Sequence, residues 1–90
     1  MDIKVENNRS AKRFEINADN ALAVLEYGLE GSTLTLVHTG VPTALEGQGI
    51  GSKLAKAALE FAREKDLTVV PLCPFVRSYI ERHKEYQGLL

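Results

Sequence analysis

Glu46-Gly47-Gln48-Gly49-Ile50-Gly51-Ser52 sets three glycines at alternate positions immediately before a helical pattern. Glycine permits backbone angles that a side chain forbids, and it lacks the Cβ that would hold a ligand away. The free amides of a helix's first turn point into the same hollow, with the positive end of the helix dipole behind them. The stretch is therefore a candidate anion site, with phosphate the usual occupant; a plain Gly-rich turn into a helix has the same composition. Two further side chains carry chemistry. Cys73, the one cysteine, precedes Pro74, and a thiolate beside a basic histidine is a competent nucleophile. His38 is a candidate base, since an imidazole is the side chain most often used as one. Each also has a structural reading: Cys73 as a small buried hydrophobe, and His38 as a core histidine bonded to a backbone carbonyl.

The elements that position these residues follow from hydrophobic period. Ile3-Lys4-Val5-Glu6 alternates as a short strand and Asn7-Asn8 reads as a turn. Lys12 to Ile16 resumes the alternation, with Phe14 and Ile16 on one face. Ala21 to Leu29 reads as a strand, and Glu30-Gly31-Ser32 leads it into a hairpin. Thr33 to Thr39 is the clearest strand; its two-residue period puts Leu34, Leu36 and His38 on one face and Thr35, Val37 and Thr39 on the other. After Gly40-Val41-Pro42 the period changes. Ile50, Leu54, Ala57, Ala58 and Phe61 make a helical stripe opposite Lys53, Lys56, Glu60, Arg63 and Glu64, ending near Lys65-Asp66. Leu67 to Leu72 is a β-branched strand, and Pro71 requires it to lie at an edge or to part from a neighbour there. Phe75 to His83 reads as a short helix, with the tail fraying after Tyr86. The fold expected is α/β: a mixed sheet in the order β-β-β-β-α-β-α. An antiparallel meander leads through a right-handed crossover to a parallel strand.

Ninety residues, 44% hydrophobic and 26% charged, suit a single soluble domain spanning 1–90. A net charge of −1 without a basic block argues against nucleic acid or an anionic membrane as partner. No apolar run approaches the roughly 20 residues of a membrane span. The N-terminus does not read as a signal peptide, and one cysteine excludes an internal disulfide and argues against a cysteine-based metal site. A cytoplasmic monomer without metal is expected.

Known phosphate loops can be tested on the glycines. A P-loop requires G-x-x-x-x-G-K-[ST], whereas this chain has Gly51-Ser52-Lys53. A dinucleotide fingerprint requires G-x-G-x-x-G within a parallel unit; here the spacing is G-x-G-x-G and the preceding strands are antiparallel. The loop instead resembles the pyrophosphate loop of the Gcn5-related N-acetyltransferases, Gln/Arg-x-x-Gly-x-Gly/Ala between a strand and an amphipathic helix. It matches at Gly49 and Gly51 and departs at Glu46, which places a negative charge where the family has Gln or Arg. Most of the chain resembles the short YjdJ-type or NATD1-like subfamily. The matching blocks are Leu36-Val37-His38-Thr39-Gly40-Val41-Pro42, Gly47-x-Gly49-Ile50-Gly51, Val70-Pro71-Leu72-Cys73-Pro74-Phe75-Val76 and Arg82-His83-x-x-Tyr86.

The resemblance implies an N-acetyltransferase with acetyl-coenzyme A as cosubstrate. Glu46, Gly47, Gln48, Gly49, Ile50, Gly51 and Ser52 would hold the pyrophosphate. The pantetheine arm would run along Val37, Thr39 and Val41 into the gap left at Pro71, with Cys73 near the thioester. Acetyl would pass directly to an unidentified amine with His38 as base, or first to Cys73 as a thioester. Tyr79 on the last helix would be placed to protonate the leaving thiolate, or would simply pack. The alternative reading is a module that binds coenzyme A or an acylated partner without turnover.

Overall fold

The computed structural model describes residues 3–90. Strands β1 (Val5–Asn8), β2 (Arg13–Ala18), β3 (Ala21–Glu30) and β4 (Thr33–Gly40) are followed by helix α1 (Ile50–Glu64), strand β5 (Thr68–Pro71) and helix α2 (Pro74–Arg82). The five strands lie in the order β1-β2-β3-β4-β5. The first four pair antiparallel, and β5 runs parallel to β4. This is the mixed sheet that the pattern predicts.

The turns are made by residues that tolerate left-handed backbone. Asp19 (φ 51°) and Asn20 (φ 58°) form the two-residue link between Ala18 and Ala21, the geometry that matches strand twist. Asn7 and Asn8 belong to β1, not to a turn. The Asn8 side chain instead organises the bend that follows, accepting from the Ala11 amide and the Ser10 hydroxyl, both at 3.1 Å. Helix α1 ends in a Schellman arrangement, with Leu67 N–H on the Ala62 carbonyl at 2.8 Å and Asp66 N–H on that of Arg63 at 3.4 Å. Asp66 (φ 55°) takes the left-handed position usually given to glycine.

The core lies on one face of the sheet. Phe14, Ile16, Ala23, Leu25, Tyr27, Leu34, Leu36 and Val69 turn inward from the strands to meet Ile50, Leu54, Ala55, Ala58, Leu59 and Ala62 of α1 and Val76, Tyr79 and Ile80 of α2. Each fully buried leucine here contributes about 1.5–3 kcal/mol. The α1 stripe is therefore rotated from the one the sequence suggests: Ala55, Leu59 and Ala62 are buried, while Ala57 and Phe61 sit at its margin. The opposite face of the sheet, carrying Leu22, Glu26 and Val70, is open to solvent.

Two local departures matter for the site. Tyr27 pairs with Leu36 but Glu26 pairs with His38, so Val37 is an extra residue in β4. Such a bulge reverses the inward–outward alternation beyond it. His38 therefore lies on the open face opposite exposed Glu26, and Thr39, opposite buried Leu25, turns to the helical side. The even alternation that placed His38 with Leu34 and Leu36 is overturned. The second departure is the tail. Lys84–Leu89 is 3₁₀ helix rather than a frayed end. Tyr86 is 3% exposed; its hydroxyl donates to Glu60 at 2.6 Å, and Arg63 stacks 4.9 Å over its ring.

Candidate functional site

The glycine loop delivers unpaired donors to the start of α1. Gly47 (φ 80°) and Gly49 (φ 71°) both take left-handed backbone, and a Cβ on either would meet nothing within 4 Å. Gly49 is the N-cap residue and no side chain caps the helix. The first helical backbone bond runs from Lys53 N–H to the Gly49 carbonyl at 3.1 Å. Among the described residues, the amides from Gly47 to Ser52 have no backbone acceptor. Loop and helix start line an open depression of ≈ 230 Å³, with Val41 and Phe75 as apolar walls and Glu46 at its edge. A larger hollow of ≈ 370 Å³ lies on the bare sheet face beside Gly28, Thr33 and Thr35. It has no convergent set of free donors, so the smaller depression is the better candidate.

Gly51 is a glycine for a different reason. A Cβ there would lie 2.9 Å from Cζ of Phe75, so the Phe75 ring from the start of α2 rests on the first turn of α1. Its neighbour Val76 is buried, whereas Phe75 is 39% exposed.

The parallel ladder stops where Pro71 predicts. It runs from Thr33–Thr68 to Leu36–Pro71, while β4 continues to Gly40 paired with β3. Leu36 carbonyl receives both the Leu72 and the Cys73 amides at 3.0 Å, and the two strands separate beyond it. Cys73, 4% exposed, sits at this separation as the N-cap residue of α2, followed by Pro74 in the first turn. Its sulfur lies 3.4 Å from Thr39 Oγ1. That contact exists because the Val37 bulge turns Thr39 inward. Burial pushes the Cys73 thiol up; the Thr39 hydroxyl and the amides of Val76, Phe75 and Thr39 more than offset it, leaving the thiol below its ordinary range. The α2 amides act as an oriented field, since no side-chain cap bond closes on that helix.

The structure thus brings Thr39, Cys73, Val41 and the glycine loop to one side of the sheet and puts His38 on the other. Val37 is 48% exposed at the bulge. Tyr79 is buried and stacks on His83 with ring centroids 3.9 Å apart. Its hydroxyl has no hydrogen-bond partner among the described residues, where no buried side-chain polar atom is unsatisfied, so the hydroxyl reaches solvent. Burial, then the Glu85 carboxylate, hold it above its usual range and protonated at neutral pH. Sequence reasoning missed Arg77, whose guanidinium lies on the carbonyls of Pro71 and Leu72. Its spacing of four from Cys73 in a helix is the one local signal for it. No metal-binding cluster of His, Cys, Asp or Glu occurs among the described residues. None of their helices is long and apolar enough to cross a membrane.

Comparison with known proteins agrees with this architecture. Residues 13–89 match the family described as GCN5-related N-acetyl-transferase. Protein NATD1 of Xenopus tropicalis is 38% identical over 84 residues, which is 90% of this chain and 77% of that protein. Protein NATD1 of Homo sapiens is also 38% identical over 84 residues, covering 90% and 74%. The solution NMR structure of a GCN5-like protein from Staphylococcus aureus superposes with a TM-score of 0.76 at 34% identity, covering 97% of this chain and 86% of that one. A glycine loop feeding the central helix, a strand pair that parts beside it and these likenesses lead to one conclusion: the chain belongs to the GCN5-related N-acetyltransferase family.

Proposed function

We propose that this protein binds acetyl-coenzyme A and transfers its acetyl group to an amine. The observation that carries the reading is the run of unpaired amides from Gly47 to Ser52 at the head of a 15-residue helix, beside the separation of β4 from β5. Those amides would hold the pyrophosphate. The β4 edge from Val37 to Gly40, with Val41 just beyond it, would take the amides of the pantetheine arm, since backbone groups left by one strand need other partners. Acetyl-coenzyme A supplies an activated thioester carbonyl; placement by the protein lowers the entropic part of the barrier.

Two routes fit the side chains. In the direct route the amine nitrogen bonds to the acetyl carbon, the carbon–sulfur bond breaks, and the sulfur leaves with a proton. Tyr79, held protonated, is the candidate acid. His38 is the candidate base for an amine approaching from the open face. In the covalent route the Cys73 thiolate, stabilised by Thr39 and the start of α2, bonds to the acetyl carbon while the carbon–sulfur bond to coenzyme A breaks. Coenzyme A leaves as a thiolate that takes a proton from Tyr79 or solvent. The amine then attacks the Cys73 thioester and frees the cysteine. We favour the covalent route because Cys73 stands at the strand separation as the N-cap of α2, with its sulfur 3.4 Å from Thr39 Oγ1.

The test is a titration with acetyl-coenzyme A followed by amide shifts and intact mass. Shifts at residues 47 to 52 with one added acetyl group on Cys73 are expected; no shifts would defeat the reading. Glu46 at the edge of the depression favours a second reading, a module that binds without turnover. Ligand binding with no product from a broad amine panel would establish it. The reading also makes the 90-residue chain one domain acting as a cytoplasmic monomer, with neither membrane nor nucleic acid as partner.

A further inference from the structure

Every backbone polar group at the corner where β5 ends is accounted for. Pro71 has no N–H. The Leu72 and Cys73 amides both donate to the Leu36 carbonyl at 3.0 Å, and the Cys73 carbonyl accepts from the Arg77 amide at 3.0 Å. The Pro71 and Leu72 carbonyls remain, and a single nitrogen of Arg77, Nη2, reaches them at 3.3 and 3.4 Å. Pro74, next along the chain, again offers no donor. Nothing from residues 71 to 73 is left to extend the ladder towards β4. The strand β4 has no such closure on that side: it outruns β5 by the residues from Val37 to Gly40.

We propose that Arg77 is a positioning residue for the transfer site. Its guanidinium seals the end of β5, fixes the corner carrying Cys73, and leaves β4 as the one wall on which a ligand's amides can pair. The proposal rests on reading the gap as the channel for the pantetheine arm. Without Arg77, the Pro71 carbonyl on the outer edge of β5 is left to water, the Leu72 carbonyl is free to turn to water or to β4, and the corner loses its anchor to α2. Ligand held at the glycine loop is indifferent to this, because that loop stands on α1. A chain of amides laid in the gap is not.

The experiment compares wild type, Arg77→Met and Arg77→Lys by hydrogen exchange, thermal melting and two probes, pantetheine for the gap and ADP for the loop. In Arg77→Met the Leu72 and Cys73 amides should exchange at least about tenfold faster with the melting temperature nearly unchanged. Pantetheine affinity should fall about tenfold and ADP affinity stay within about twofold. Arg77→Lys keeps the charge and a single donor nitrogen, as Nη2 supplies here, on a shorter side chain, and should recover part or all of the loss. Equal losses for both probes, or unaltered exchange at Leu72 and Cys73, would overturn the proposal. Should wild type bind neither probe, the coenzyme reading fails, while the exchange rates still decide whether Arg77 holds the corner.

Discussion

Two helix N-termini face the same gap, and they are built differently. At α1 the N-cap is Gly49 in left-handed conformation, and the amides before and within the first turn are free. At α2 the N-cap is Cys73, Pro74 removes one donor, and a sulfur already sits in front of the remaining amides. Both ends carry the positive pole of a helix dipole. The first spends it on open space able to take an anion from solution. The second spends it on a side chain, lowering a buried thiol. Similar helix physics thus yields an open set of donors at one end and a thiol held below its ordinary range at the other, and the residue at the N-cap decides which.

The largest expected effect comes from closing the receptacle. Gly49→Val forces a β-branched residue to φ near 71°, a strain of about 1–3 kcal/mol, and puts methyl groups into the anion space. Coenzyme A binding measured by calorimetry should fall by more than about tenfold, with the circular dichroism of the fold retained. Unchanged binding would erase the distinction between the two termini.

Thr39→Val tests the other end. A lowered thiol forms thiolate at lower pH than an ordinary one, so removing the Thr39 hydrogen bond moves thiolate formation to higher pH. The pH profile of Cys73 alkylation by a small reagent should therefore shift upward in the variant. No shift would mean the α2 amides alone set the sulfur's charge, and a downward shift would mean the thiol donates to Thr39 and is held neutral by it.

Tyr86→Phe is a control away from both termini. Burial, with the Glu60 hydrogen bond, raises the Tyr86 hydroxyl from 10.0 to about 12. A folded pKa above the unfolded one gives stability that is present below pH 10 and lost as pH climbs towards 12. The variant should lose about 1 kcal/mol in denaturant melts at neutral pH and show a flatter decline across that alkaline window. Neither site property should move.

The smallest effect is at Gly51, where the two helix starts touch. Glycine to alanine within a helix gains about 1 kcal/mol, but here the new Cβ would press on the Phe75 ring. Gly51→Ala alone should be close to neutral, and in a Phe75→Ala background it should stabilise by about 0.5–1 kcal/mol. A double-mutant cycle in chemical denaturation reads this coupling; simple additivity would show that the ring yields without resistance.

Much of this was legible in the sequence, because it rests on local chemistry. The alternation from Thr33 to Leu36, the helical stripe from Ile50, the missing N–H of Pro71 and the glycines at 47 and 49 each dictate local geometry wherever they occur. They sufficed for the order of elements, the direction of the strands and the position of the loop. The bulge at Val37 could not be read, since an extra residue exists only relative to the strand opposite, and from it follow both the exposure of His38 and the meeting of Thr39 with Cys73. Phe75 over Gly51, Arg77 across the end of β5 and Tyr86 on Glu60 likewise needed partners brought together by the fold. Periodicity reports which face a residue prefers. Pairing register and side-chain reach decide which face it receives, and these were fixed only by the tertiary structure.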